Sequence, residues 1–372
     1  MVGATAVQPQ TAITSHGPCD RHDRGLASSV LNIALVVPPF MPVQDASPAN
    51  LTWYASLLID GLVDRGHPTT LFAHPSSQTC ASLQSFAEPS ELEACRDFAF
   101  YVNAGHMVQA FAAALRHADI IHNHDPLLGL ALSDFITAPV VTTISAPIED
   151  NISTAVRAFP NHRYVCVCNH QASRWPIRAR PLVIRPGLNL ADYPTAAARG
   201  DDLVFLGSLT ARTGAHLAIQ VARRTGRPLR IITPTVNEAD GYFKLLIRPY
   251  LADSLITIAV GLTLHERRVL LAQAQALIYP VGWDDPVARP ALEAMACGTP
   301  TLALSRGAIP EVVEDEVTGF ACDSLDGLIR RVNDASLIDR TACLARVLSQ
   351  FSIARMVEAY EALYLESRSE NT

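Results

Sequence analysis

The sequence predicts an α/β protein made of two Rossmann-like, doubly wound domains. Three observations carry that expectation. The chain has 372 residues, more than one core usually supports before it splits. An apolar run from Leu31 to Val37 stops at Pro38-Pro39 and is followed by apolar residues at helical spacing, the pattern of a buried strand feeding a loop and a helix. A second strand-helix-strand series then begins at Leu203, after a segment of linker composition.

The first 30 residues mix Gln, Thr, His, Asp and Arg, lack the apolar run of a signal peptide, and read as a disordered leader. After the first strand, Leu51, Ala55, Leu58, Ile59 and Leu62 recur at helical spacing. Arg65-Gly66-His67 closes that helix before a strand over Thr69 to Ala73. Further strands are expected over 119–122, 139–144, 164–167 and 182–184. Pro186, Gly187, Pro194, Thr195 and a run of Ala mark a linker. The second series places strands over 203–207, 229–232, 276–279 and 299–304, with a helix over 215–224. In the last segment, Met356, Val357, Tyr360, Leu363 and Tyr364 share one helical face, which makes it a docking helix. The expected organisation is a leader (1–30), a first domain (31–185), a linker (186–202), a second domain (203–350) and a terminal helix that packs on the first domain (351–372).

Composition narrows the function. A net charge of −7, a pI near 5.9 and the near absence of Lys leave no basic footprint for a nucleic acid. Eight cysteines without a C-x-x-C pair or a secretory signal read as reduced and mostly buried. No stretch approaches the roughly 20 apolar residues of a transmembrane helix, so a cytoplasmic location is expected. No cofactor is expected.

The most informative stretch runs from Asp285 through Pro286-Val287-Ala288-Arg289-Pro290-Ala291-Leu292 to Glu293, and on to Gly298-Thr299-Pro300. A loop acid enters a helix whose N-terminal amides can hold a diphosphate, and a second acid on that helix can accept hydrogen bonds from ribose hydroxyls. This stretch resembles the donor-site signature of glycosyltransferase family 4. Similar words stand in the family's order at Arg65-Gly66-His67, at Ile121 to Pro126, at Val183 to Leu188 and at Gly307 to Val313.

The resemblance implies a GT-B architecture, two domains facing across a cleft, and hexosyl transfer from a UDP- or GDP-sugar to an acceptor hydroxyl without a divalent metal. It implies a catalytic role for Asp285 and donor binding by Glu293, Ala291, Leu292, Arg289, Gly207 and Arg212. His124, Asp125 and Ser145 would line the acceptor side. The acceptor and the oligomeric state stay open.

Several positions depart from the family. The usual Gly-Gly pair after the first strand is Ala49-Asn50, the usual histidine of His-Gly is Ser145, and the Phe-Gly after the first acid is Val287-Ala288. Two cations of the second domain's first loop are missing in register from Gly207 to Gly214. Arg212 and Arg289 could compensate by forking onto the diphosphate.

These departures motivate a second reading, a weakened or inactive member that binds sugar nucleotides or regulates. An epimerase is a third reading, without a recognisable acid/base set. Glu293 could also be a plain helix-face residue, and Asp284 with Asp285 a helix-entry pair. His122, His124 and Asp125 lack further ligands for a metal. Cys166 and Cys168 read as packing residues, Arg306-Gly307 as a strand end. Ser145 has no nucleophile elbow around it.

Overall fold

The computed structural model describes residues 30–45, 50–94, 96–195 and 200–370. The expected leader up to residue 29, Ala49, Cys19, Cys95 and part of the linker (196–199) lie outside the described residues.

Parallel strands alternate with helices from the start. The first series runs β1 (Ile33–Val36), α1 (Asn50–Asp64), β2 (Thr69–Phe72), β3 (Ser82–Gln84), α2 (Pro89–Ala94), α3 (Ala99–Ala114), β4 (Ile120–Asn123), α4 (Leu128–Ser133), β5 (Val140–Ile144), α5 (Asp150–Ala158), β6 (Arg163–Cys166), α6 (Asn169–Ser173) and β7 (Leu182–Val183). The second runs β8 (Leu203–Leu206), α7 (Ala215–Thr225), β9 (Leu229–Thr233), α8 (Gly241–Leu246), β10 (Ile256–Val260), α9 (Leu264–Gln273), β11 (Ala276–Tyr279), α10 (Arg289–Ala296), β12 (Thr301–Leu304), α11 (Ile309–Val312), β13 (Gly319–Cys322), α12 (Leu325–Arg331), α13 (Arg340–Gln350) and α14 (Ile353–Glu370).

The strands form a seven-stranded sheet in the order β3-β2-β1-β4-β5-β6-β7 and a six-stranded sheet in the order β10-β9-β8-β11-β12-β13. The pairs β1 with β2, β1 with β4, β8 with β9 and β8 with β11 are parallel. Both orders reverse direction beside their first strand, which is the doubly wound pattern the sequence predicts. The central strands are the ones a continuous apolar run announces: Ile-Ala-Leu-Val in β1, Leu-Val-Phe-Leu in β8 and Ala-Leu-Ile-Tyr in β11 are buried throughout. The sequence reading missed β3, β10 and β13. Edge strands β3 and β10 are largely exposed or half-buried, and β3, Ser-Leu-Gln, carries no such run.

The chain clusters into two compact units. The first contains the described residues up to Thr143, Ala158–Tyr164 and the residues from Tyr360 onward; the second contains Ile144–Arg157 and Val165–Ala359. In the first unit, Met107, Ala110, Phe111 and Ala114 of α3 pack with Ala34, Val36, Phe72 and Ile121 of the sheet. Helix α1 ends as expected at Gly66, whose φ of +87° lets the His67 amide reach back to the Leu62 carbonyl at 3.1 Å.

The C-terminal part of α14 belongs to this first unit through buried polar contacts as well as its apolar face. The Tyr54 hydroxyl donates to Tyr360 Oη at 2.5 Å, and Tyr360 in turn pairs with Thr143 Oγ1 at 2.7 Å. His122 bridges Thr143 (2.8 Å) and Tyr364 (2.7 Å). Glu361 accepts from Arg65 and sits 3.0 Å from His67 Nε2. The sequence showed the apolar stripe but not this network, because its members come from four separate elements.

Cys166, Cys168, Cys297 and Cys343 are buried, while Cys80 is exposed. Among the described residues, no helix is long and apolar enough to cross a membrane.

Candidate functional site

In open parallel sheets, ligands bind outside the carboxyl ends of the strands where the order reverses. In the second unit that point lies between β8 and β11, so the loops that follow them, 207–214 and 280–288, are the ones to build from.

The two loops are stitched together. The Gly282 amide donates to the Arg212 carbonyl at 2.8 Å, and the Arg212 guanidinium stacks on the Trp283 ring 4.3 Å from its centroid. Thr213 ties the first loop internally by donating to the carbonyls of Ser208 (2.5 Å) and Thr210 (2.9 Å).

A pocket of about 120 Å³ opens beside Trp283, lined by Pro147, Ile148, Glu149, His170, Gln171, Arg174, Arg212 and Asp284. All of these belong to the second unit. Asp284 is its central acid. Its Oδ2 lies 3.4 Å from both His170 Nε2 and Arg174 Nη2, and its Oδ1 accepts from the Gly307 amide at 3.3 Å. Helix α6, which carries His170, is fixed by Glu311, which accepts from the amides of Asn169 (3.0 Å) and His170 (2.8 Å) and lies 3.3 Å from Arg185 Nη2. Gln171 donates to the carbonyls of Ile144 (3.1 Å) and Ala146 (2.6 Å), which secures the backbone on either side of Ser145.

One residue along, Asp285 does something different. Its side chain accepts from the Tyr279 hydroxyl at 2.5 Å, from the Val287 amide at 3.0 Å and from the Ala288 amide, and the residue is 2% exposed. Burial raises its pKa, opposed by those three hydrogen bonds and by Arg212. Helix α10 begins at once. Ala288 precedes it in the left-handed region, with φ 52°, and its carbonyl accepts the amides of both Ala291 (3.0 Å) and Leu292 (3.2 Å). The family's glycine at this position has a physical reason, since only glycine takes that conformation without strain; alanine carries about 1–2 kcal/mol there.

Glu293 is also 1% exposed. Arg289 Nε donates to its Oε1 at 2.5 Å, and Arg267 Nη2 lies 3.1 Å from Oε1 and 2.9 Å from Oε2. Burial by itself would raise its pKa, but Arg289 and Arg267, with Arg268 behind them, reverse the sign and hold the carboxyl below its ordinary value.

Residues 196–337 match the family model described as glycosyl transferases group 1. These residues are a group 1 glycosyltransferase domain. The chain is a transferase, and its similarity to curated enzymes extends beyond the domain: glycogen synthase of Mycobacterium tuberculosis strain H37Rv is 27% identical over 292 residues, 67% of this chain and 69% of that protein. Two solved structures share the fold. One is a glycosyltransferase involved in avilamycin A biosynthesis, with TM-score 0.66 and 22% identity over 91% of this chain and 98% of that one. The other is Anabaena HepE in complex with UDP-glucose, with TM-score 0.72 and 15% identity over 91% and 100% of the two chains.

Within the glycosyltransferase domain, the structure places the expected site residues as follows. Asp285, expected to be catalytic, is a buried loop anchor, and the acid on the pocket wall is Asp284. Ala291 and Leu292 do not offer free amides, because both donate to Ala288. Arg289 does not fork onto an open diphosphate site; it is paired with Glu293. Glu293 is not an open acceptor for ribose hydroxyls but the buried acid of an arginine cluster. Gly207 donates its amide to Ile232 and does not line the pocket. Arg212 does line it.

Of the acceptor-side candidates, His124 is 2% exposed with neither ring nitrogen hydrogen-bonded. Asp125 spends its carboxylate on the entry to α4, accepting from Leu127 (2.9 Å) and Leu128 (2.7 Å) at one oxygen and from Asn103 (2.6 Å) at the other. Ser145 is half-buried, two residues before the pocket-lining Pro147. The sequence reading missed His170, Arg174, Glu149 and the pocket role of Asp284. Only the Asp284-Asp285 doublet gave a signal; Glu149 immediately precedes α5, His170 lies in α6 and Arg174 just after it, where no motif stands. Among the described residues, no group of three or more His, Cys, Asp or Glu could hold a metal ion.

Gly307 sets the floor of the loop. A Cβ there would lie 2.2 Å from the Asp285 carbonyl oxygen and 2.5 Å from its amide nitrogen, and its φ is +52°. Gly307→Ala is expected to cost about 2–4 kcal/mol through overpacking and left-handed strain. Urea denaturation checks it, and an unchanged midpoint would show that the loop yields freely.

Proposed function

We propose that the protein transfers a hexosyl group from a UDP- or GDP-sugar to an acceptor hydroxyl, as a family 4 enzyme that needs no divalent metal and works in the cytoplasm. One observation carries the reading: a group 1 glycosyltransferase domain whose acid-bearing loop and helix, 284–293, stand at the reversal point of its sheet. The relatives support it by what they are, a glycogen synthase and, over 127 residues at 34% identity, a mannosyltransferase of Mycolicibacterium hassiacum. In this proposal the first domain spans 31–185, the second 203–350, and the linker 186–202 joins them.

A second reading has its own support. Ser145 stands where the family has a histidine, and the two cations of the loop from Gly207 to Gly214 are missing in register. A sugar-nucleotide-binding protein with weak or no transfer activity fits that arrangement.

Calorimetric titration of the full chain with a panel of UDP- and GDP-sugars, followed by donor hydrolysis and transfer assays on the same preparation, tests both. Saturable binding with turnover supports transfer. Binding without turnover favours the second reading, and no binding to any donor overturns both.

A further inference from the structure

Helix α3 carries two apolar faces, and the core of the first unit uses one of them. Its inner face, His106, Met107, Ala110, Phe111 and Ala114, is buried. Along the outer face run Phe98, Tyr101, Gly105, Val108, Ala112 and Leu115, all exposed. Their spacing of three, four, three, four and three residues is that of the seam along which two helices pack. Between Ala99 and Ala114 the helix holds no Asp, Glu, Lys or Arg.

The size of this face decides what it can do. Phe98 is 61% exposed and Tyr101 73%, while Phe100, edge-on to Tyr101 with centroids 5.7 Å apart, is 65% exposed. A buried aromatic side chain removes about 150–250 Å² from water, so these three rings offer roughly 300–500 Å² on one copy. That equals the largest apolar patch of a typical monomer, and such patches are often functional. Two copies face to face would bury roughly 600–1,000 Å² from the rings. With Val108 and Leu115, 54% and 42% exposed, the total reaches the roughly 1,200 Å² at which stable interfaces begin.

We propose that the outer face of α3 is the contact between two copies of this chain, packed antiparallel about a two-fold axis that passes between Gly105 and Val108. That axis sets Phe98 against the partner's Leu115, Tyr101 against the partner's Ala112, and Gly105 against the partner's Val108. The last two pairs seat a large side chain on a small one. A Cβ at Gly105 would meet nothing within 4 Å in its own copy, so the gap is open to a side chain from outside.

Charge favours the same arrangement. Glu91, Glu93 and Asp97 precede the seam and Arg116 and His117 follow it, all exposed. Antiparallel packing brings Asp97 to the partner's Arg116 twice per dimer, whereas a parallel pair would bring like charges together. A membrane surface is the poorer occupant, because interfacial helices carry Lys or Arg beside their apolar face and α3 carries neither.

Sedimentation velocity on the full chain from about 1 to 200 µM tests this, and a concentration-dependent dimer in the micromolar range is expected. Val108→Glu places a carboxylate beside the axis. It is expected to weaken dimerisation by about tenfold or more and to leave the urea midpoint of the monomer unchanged, since the position is exposed. Asp97→Arg and Arg116→Asp are each expected to weaken the dimer several-fold, and the two together in one chain to restore it. Within one copy the helix holds these residues about 25–30 Å apart, so only pairing between copies produces that rescue. A chain that stays monomeric throughout, a dimer that Val108→Glu leaves intact, or a double swap no better than the single ones overturns the proposal. Flotation of the chain with phosphatidylcholine–phosphatidylglycerol vesicles, lost in Val108→Glu and without any dimer, makes a membrane the occupant and overturns it as well.

Discussion

Between pH 7 and pH 5 the protein is expected to lose about 6 kcal/mol of stability. His106, His122 and His124 are 4%, 0% and 2% exposed. Burial pushes His106 down to about 4, against a hydrogen bond to the Val37 carbonyl, and His124 down to about 3. Burial, reinforced by the neighbouring His124, holds His122 well below the usual histidine range. The native state thus keeps all three neutral while the unfolded chain binds protons from about pH 6.5 downward. Stability is fully present above that value and falls as pH drops toward the folded-state values. Each histidine contributes about 1.4 kcal/mol per pH unit within that window, so three together approach about 4 kcal/mol per unit, against a total of about 5–15 kcal/mol for a typical domain. Urea midpoints measured from pH 7.5 to pH 5 check this. His122→Phe should flatten part of the slope at the cost of the Tyr364 and Thr143 contacts, and a flat profile in the wild type would contradict the burial of these rings.

Arg289→Ala is expected to destabilise the protein by about 3–5 kcal/mol, the cost of removing one partner from a buried ion pair. The loss falls on Glu293, which is 1% exposed and would keep Arg267 as a partner, with Arg268 nearby. Arg289→Met with Glu293→Leu should recover much of that loss, because the charge and its uncompensated partner leave together. The pH window differs from that of the histidines. Glu293 has a lowered folded-state value, so its contribution is present above the unfolded carboxylate range and is lost only in more acid solution. Thermal or urea denaturation at pH 7.5 isolates it. A loss below about 1 kcal/mol would place Glu293 in contact with solvent instead.

Central strands were legible in the sequence because they are buried on both faces and therefore read as unbroken apolar runs, as in Ala276 to Tyr279. Edge strand β3 was not, since its three residues, Ser-Leu-Gln, are exposed or half-buried and hold no apolar run. The loop and helix from Asp285 to Glu293, which the sequence singles out, follow β11 at the reversal point of the second sheet. What the sequence could not resolve is which of two adjacent acids turns inward. Asp285 is taken by Tyr279, a strand residue six positions earlier, while Asp284 is left for the pocket. Nor could it show that the carbonyl of Ala288 accepts two amides at the start of α10. His170 and Arg174 were invisible because residues distant in the chain meet Asp284 only after folding, and neither sits in a recurrent pattern.

The position of the phosphates in a crystal grown with UDP or GDP tests the account most directly. It predicts phosphates bound outside the carboxyl ends of β8 and β11, with the Ala291 and Leu292 amides still on Ala288 and Arg289 still paired with Glu293. Phosphates seated on those two amides, with Arg289 swung away from Glu293 toward the ligand, would contradict it.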